Sequence, residues 1–237
     1  MNFIPIKTRI VRPPKDEIWD ILDNLKIQDG DIVFITSKIL AIHQGRCLRG
    51  IEKDELIKQE ASHYLPYGEC EGFKLRLTIT DNTIIPNAGI DESNGNGFCV
   101  LWPKNTDALC RDIRTRLAEK HNIKKLGIVA TDSHMIAPLR WGVGSISIGI
   151  AGVQPVRDLR SETDLFGRRL VCTRVGVIDP LASAAGLLMG EKAEQTPIVI
   201  LRGFDGAIFD EFASRKDFSI APHDDLYAPL IEIMEKR

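Results

Sequence analysis

The sequence predicts a mixed α/β (α+β) fold built as a single catalytic unit. Three observations point there. Several stretches carry apolar residues at helical spacing, and runs such as DIVFIT and PIVILR have the length and composition of buried strands. The two kinds interleave without the regular beat of a doubly wound sheet. At 237 residues the chain can bury a real core. It has no linker composition, fixed-period repeat or low-complexity tract, so it reads as one unit over 1–237, with room for two lobes.

The elements follow in order. Pro13 and Pro14 lead into KDEIWDILDNL, where Ile18, Ile21, Leu22 and Leu25 recur at helical spacing and Pro14 suits a first turn. QDGDIVFITSKIL reads as a turn into a buried strand, and IEKDELIKQEASHYL as a second helix. KLRLTI and TIIP, separated by the turn residues of TDN, predict a hairpin. TDALCRDIRTRLAEKH predicts a helix with Thr106 as N-cap and Leu109, Ile113 and Leu117 on one face. KLGIVATD is expected as a short strand ending in polar residues, with SISIGIAG and RRLVCTRVGVI as further strands. DPLASAAGLLMGE reads as a small-residue helix from Asp179 to near Gly190, PIVILR as a final buried strand and DDLYAPLIEIMEKR as a C-terminal helix.

Composition removes several classes of function. A hydrophobic share of 43% and a charged share of 27% are those of an ordinary globular protein. With 31 basic against 33 acidic residues the formal net charge is -2, so no global field favours nucleic acid or an anionic membrane. Any phosphate-bearing ligand must be recognised locally. No segment approaches about 18 uninterrupted apolar residues and the first residues lack a leader pattern, so a cytoplasmic location is expected. Cys47, Cys70, Cys99, Cys110 and Cys172 are scattered without a CxxC pair and read as reduced thiols, not as a disulfide framework or zinc site.

The familiar nucleotide and hydrolase motifs are absent. There is no GxxxxGK[ST], HEXXH or GxSxG. GVGSISIG has its glycines at the wrong spacing for a dinucleotide fingerprint. NAGIDESNGNG is no EF-hand loop, because the twelfth position from Asp91 is Trp102. His134 and His223 stand alone in sequence. What remains is a set of carboxylates at the ends of apolar segments: Asp91, Asp132 directly before Ser133, and Glu191. Loop carboxylates at such ends are where α/β proteins assemble oxygen-rich cation sites, and Mg²⁺ or Mn²⁺ there can clamp a triphosphate. Each acid alone reads more simply as a cap or a solvated turn.

NAGIDESN, the TDS of IVATDS, SIGIAG, DLFGRRL and LASAAGLLMGE occur in order and at compatible spacing. Together they resemble the coenzyme F-420-0:γ-glutamyl ligase family, from IPIKT to at least ILRGF. SHMIAPLRWG and EQTP look more like a bacterial branch of that family associated with folates. The resemblance implies an intertwined homodimer, neither P-loop nor ATP-grasp, without nucleic-acid or membrane partners. It also implies a ligase that uses GTP or ATP to join L-glutamate to an acceptor carboxylate, on F-420-0 or a folate-type pterin. By position, Asp91, Asp132, Ser133 and Glu191 are implied to hold the divalent cations, two Mg²⁺ or Mn²⁺, and a monovalent cation requirement stays open. Asp132 and Lys38 are the implied catalytic residues. Nucleotide contacts are implied for Lys7, Thr8, Arg9, Ile10, Ser37, Lys38 and Asn94, and for Met189, Gly190, Lys192, Ala193, Glu194, Gln195 and Thr196.

This sequence departs from the family pattern at three places. Ile42 stands where the family has a second lysine, the TDTxGR arginine is lost with Arg140 as a replacement out of register, and MGEK adds Lys192. These departures motivate an alternative, a catalytically weakened nucleotide-binding regulatory protein. A plain structural oligomer would leave Asp91, Asp132 and Glu191 unexplained. Glu92 is expected as a solvated turn residue, and Asp158 and Asp164 as structural acids paired with Arg168 or Arg169.

Overall fold

The strand DIVFIT, Asp31–Thr36, is buried on both faces, and the fold is built around it. Side chains alternate across a strand, so each face needs its own cover. Val33 and Ile35 join one hydrophobic cluster with Leu109, Ile113 and Leu117, whereas Ile32 and Phe34 join another with Ile178, Ala182 and Ala185. The result is a mixed sheet with a helix on either side.

The structure, a computed structural model, describes residues 1–65, 75–135, 140 and 142–236. The first part contains β1 (Asn2–Ile6), α1 (Trp19–Asp23), β2 (Asp31–Thr36), α2 (Ser37–His43), β3 (Cys47–Leu48) and α3 (Lys53–Glu60). Next come β4 (His63–Tyr64), β5 (Leu77–Thr80), β6 (Thr83–Pro86), β7 (Cys99–Val100) and α4 (Thr106–His121). Then follow β8 (Leu126–Met135), β9 (Val143–Ala151), β10 (Val156–Asp158) and β11 (Arg174–Gly176). The last are α5 (Ile178–Met189), β12 (Ile198–Arg202), α6 (Ala228–Ile231) and β13 (Glu235–Lys236).

The central sheet has five strands in the order β1-β12-β2-β8-β9. Only β2 and β8 run parallel; the other neighbours are antiparallel. A smaller sheet, β13-β4-β5-β6, lies beside α3 and a third hydrophobic cluster of Leu56, Ile57, Ala88, Ile90 and Leu101. Asp31 is 1% exposed, and Arg202 from β12 meets it with two bonds, Nε to Oδ1 at 2.9 Å and Nη2 to Oδ2 at 2.8 Å. A buried carboxylate must be paired, and this pair ties the start of β2 to the end of β12. Among the described residues no helix is long and apolar enough to cross a membrane.

Several expectations hold. α4 covers TDALCRDIRTRLAEKH with Leu109, Ile113 and Leu117 buried, and α5 stops at Gly190. The β5–β6 hairpin turns through Asp81 and Asn82, both at positive φ as a tight two-residue hairpin turn requires.

Others need correction. The helix expected over KDEIWDILDNL shrinks to α1, because the Glu17 carbonyl accepts from Arg9 and Asp16 accepts the Arg12 N–H. In QDGDIVFITSKIL the strand ends at Thr36, and SKIL opens α2. IEKDELIKQEASHYL is helical only over α3, because His63 and Tyr64 pair with β5. Thr106 is the first helical residue and not the cap; its hydroxyl donates to the Ile148 carbonyl, and Asn105 precedes the helix in the left-handed region. KLGIVATD extends to Met135 because β9 pairs along its whole length. RRLVCTRVGVI keeps only the three residues of β11. DDLYAPLIEIMEKR forms one helical turn, since Leu226, Leu230 and Ile233 find no core to cover them.

Asp158 pairs with Arg160 and Arg174, not with Arg168 or Arg169. Asp164 caps the N–H groups of Phe166 and Arg168. Cys70, Lys74 of KLRLTI, residues 136–139 and 141 of SHMIAPLRWG, and Arg237 lie outside the described residues.

Truncating a fully buried side chain costs its transfer free energy plus a cavity term. Leu117→Ala on the inner face of α4 is expected to lower stability by about 2–5 kcal/mol in urea unfolding. Arg111→Ala on the outer face of the same helix is expected to change it by less than about 0.5 kcal/mol. Equal effects would refute the assigned face.

Candidate active site

Four chain segments leave the central sheet at one end, and topology alone brings them together. β2 and β8 are parallel neighbours, so Thr36 and Thr131 are register partners and the next residues, Ser37 and Asp132, emerge side by side. β12 is antiparallel to β2, with Ile198 opposite Ile35, so the loop before it, Gly190–Pro197, arrives at the same edge. β1 ends there too, with Ile6 opposite Ile198, and the Thr8 N–H donates to the Gln195 carbonyl at 2.9 Å. Ligands in open α/β sheets sit beyond the carboxyl ends of parallel strands for this reason. Here the result is a cleft of about 530 Å³.

Asp132 is the most constrained group in it. A register shift between Ala130 and Thr131 interrupts the β8–β9 ladder immediately before it, the kind of bulge that re-aims a side chain. Ser37 Oγ donates to Asp132 Oδ1 at 2.7 Å, and the Trp102 indole N–H donates to Oδ2. Burial pushes the carboxyl up to about 6; the bonds from Ser37 and Trp102 oppose that shift, and the nearby charge of Asp91 adds to it.

Asp91 behaves differently. Burial raises its pKa too, but the bonds from Lys38 and Ser93 outweigh burial and hold it below the usual carboxylate range. Lys38 Nζ lies 2.6 Å from Asp91 Oδ2, 2.7 Å from the Ser93 carbonyl and 2.8 Å from Ser93 Oγ. Ser133 Oγ donates to Glu191 Oε1 at 2.9 Å.

The loop NAGIDESNGNG owes its composition to its backbone. Asn87, Ala88, Gly89, Asn94, Asn96 and Gly97 all have positive φ, which asparagine tolerates and glycine allows freely. Gly89 has a second reason: a Cβ there would lie 2.1 Å from Trp102 Nε1. Arg49 pins the far end of the loop through the carbonyls of Asn96 and Gly97 and stacks over Phe98 at 4.0 Å.

The structure gathers most of the sequence-predicted site residues. Thr8, Arg9, Ile10, Lys38, Asp91, Asn94, Asp132, Ser133 and all of Met189–Thr196 line the cleft. Ser37 supports it through Asp132. Lys7 lies apart, on a neighbouring groove between β1 and α1. Arg9 lines the cleft but is engaged by Asp16 and Asp20. Asn94 Nδ2 donates to the Lys192 carbonyl at 2.9 Å, joining the two loops across the cleft.

Glu92 is exposed, as expected of a solvated turn residue, and its carboxylate also meets Lys53 Nζ at 2.9 Å. Sequence reasoning missed Trp102, Ser93 and Lys53; an indole ending the apolar run FCVLW was the one available signal, since a buried indole N–H needs an acceptor. It also missed the apolar part of the lining, Val11, Ile39, Ile42, Ile85 and Ile90, where Ile42 is 2% exposed.

The donor set suits a hard cation in chemistry: two carboxylates close enough for one charge to raise the other's pKa, a third carboxylate and a hydroxyl. Among the described residues, however, no three His, Cys, Asp or Glu side chains already stand together as a metal cage.

The family model for F420-0:Gamma-glutamyl ligase matches residues 66–203, and so spans every cleft acid. The chain belongs to this family. It is a ligase. Among its relatives is a protein named Coenzyme F420:L-glutamate ligase from Methanosarcina mazei, 38% identical over 202 residues, 78% of each chain. Proteins of the same name from Methanopyrus kandleri and Methanocaldococcus jannaschii are 32% identical over 220 residues (84% of this chain, 85% of the relative) and 31% identical over 203 (78% and 80%).

Gly89→Ala combines an unfavourable φ with a clash against Trp102. It is expected to destabilise the protein by roughly 1–3 kcal/mol and to alter tryptophan fluorescence, with both read in one denaturant titration. Unchanged stability and emission would mean that the indole is not held against the loop.

Proposed function

We propose that this chain joins L-glutamate to the deazaflavin precursor F-420-0 at the expense of GTP or ATP, with Mg²⁺ or Mn²⁺ bound in the cleft. The observation that carries this reading is the convergence of Asp91, Asp132, Ser133, Glu191 and Lys38 in one cleft, which apolar side chains also line. The shared name of the relatives favours F-420-0 over a pterin acceptor.

A carboxylate is a poor electrophile, so one acceptor oxygen must first become a leaving group. In the proposed sequence that oxygen takes the γ-phosphoryl group, forming an acyl phosphate and releasing the nucleoside diphosphate. The glutamate amine then attacks the acyl carbon, a proton leaves the nitrogen, and inorganic phosphate departs. Asp91, Asp132, Ser133 and Glu191 are the residues that would hold the divalent cations, which when bound supply charge neutralisation on the phosphate oxygens. Ser37 and Trp102 fix the Asp132 carboxylate so that it need not reorganise. Lys38 would turn from Asp91 to a phosphoryl oxygen once that acid has another cation to bind. In the free protein the Asn94 amide bonds the Lys192 carbonyl, and in the proposed complex it would turn to a phosphate oxygen.

A homodimer belongs to the same reading. Its support is the arm following β10, where Leu165 and Phe166 are 99% and 94% exposed. Light scattering is expected to give twice the chain mass, reduced to the monomer by Phe166→Asp.

The direct test supplies GTP or ATP, Mg²⁺ or Mn²⁺, L-glutamate and either F-420-0 or a reduced folate, and measures phosphate release with mass spectrometry of the product. A glutamylated F-420-0 is expected, abolished by EDTA and restored by the metal. Asp132→Asn is expected to lower kcat/KM by roughly 10²–10³-fold. Glutamylated folate with untouched F-420-0 would transfer the reading to the pterin acceptor, and no product with either would refute it.

A further inference from the structure

Among the described residues four cationic side chains line the cleft: Arg9, Lys38, Lys53 and Lys192. Two are engaged within the protein, and a third adjoins the acids of the proposed reaction. Arg9 is engaged by Asp16, Asp20 and the Glu17 carbonyl. Lys38 has three acceptors for its three protons, Asp91 Oδ2, the Ser93 carbonyl and Ser93 Oγ. Lys192 directly follows Glu191, beside the acids proposed for the metal and triphosphate.

Lys53 differs in place and in bonding. It opens α3, on the wall formed by the smaller lobe, and lines the cleft with Leu75, Ile85 and Asn87. Its ammonium has one acceptor among the described residues, Glu92 Oε2 at 2.9 Å, so two N–H groups stay open. Glu92 is itself braced: its other oxygen faces the thiol of Cys99, 3.7 Å away on buried β7. This chain from Cys99 through Glu92 to Lys53 holds an ammonium at the rim without using up its donors. A partly exposed pair of this kind is weak and readily takes a second carboxylate.

The proposed reaction brings two carboxylate-bearing molecules to the cleft besides the nucleotide, and each needs a cation to hold it. Resting on that reading, we propose that Lys53, positioned by Glu92, is the anchor for a substrate carboxylate, on the glutamate or on the acceptor. Lys53 serves neither the triphosphate nor the metal. It fixes how far from the phosphoryl group the anchored substrate sits, and so sets near-attack geometry.

The test measures binding without turnover on the full chain, with L-glutamate by calorimetry and F-420-0 by its own fluorescence, for wild type, Lys53→Met and Lys53→Arg. One ligand is expected to bind at least tenfold more weakly to Lys53→Met and to recover most of that loss in Lys53→Arg. The affected ligand names the source of the carboxylate. Nucleotide affinity is expected to stay unchanged in both variants. Equal binding of both ligands by wild type and Lys53→Met overturns the inference. So does binding of neither ligand by the wild type, or a parallel loss of nucleotide affinity. Failure of the proposed reaction would look different: no glutamylated product from the wild type, with carboxylate binding still dependent on Lys53.

Discussion

The site depends on one buried carboxylate. Asp132 stands where β8 leaves the core, and an ion there must be satisfied on both oxygens or give up its charge. Ser37 and Trp102 satisfy them. Each of these bonds constrains a distant part of the chain. Ser37 reaches the acid only because α2 begins directly after β2, with β2 parallel to β8. Trp102 reaches it only if the loop before β7 folds flat over the indole, which excludes any side chain at position 89. The register shift beside Asp132 leaves Ile148 of β9 without a partner on β8, and the Ile148 carbonyl accepts from Thr106.

The two central aspartates show how environment divides chemically identical groups. Asp91 rests against the Lys38 ammonium and stays below the usual range, while Asp132 meets only neutral donors in a desolvated corner and is pushed up to about 6. The charge of Asp91 adds to the upward push on Asp132, and divalent cations in the proposed site would offset that repulsion. Ile39, Ile42, Ile85 and Ile90, which also line the cleft, offer no charge at all.

Lys38 and Asn94 have partners within the protein that a ligand would replace. Lys38 bonds Asp91, and the Asn94 amide bonds the Lys192 carbonyl. Such exchanges keep the free cleft free of unpaired polar groups, so binding swaps partners one for one instead of stripping bare groups of water.

The parts of this protein that its sequence determined are those set by local physics. α4, α5 and the β5–β6 hairpin follow from periodicity, stop signals and turn residues, all read within a few positions. The acids Asp91, Asp132 and Glu191 each read alone as a cap or a solvated turn, and only the family resemblance set them together. Tertiary structure decided the rest. α1 and the C-terminal helix are short because Arg9 takes a carbonyl α1 would have used, and because no core lies under Leu226 and Leu230. The partners of Asp132 come from 95 and 30 residues away, and those of Lys53 and Glu92 from across a lobe. A hydroxyl, an indole or an ammonium acquires its role from what the sheet topology sets beside it, and that proximity is a long-range property that no local pattern encodes.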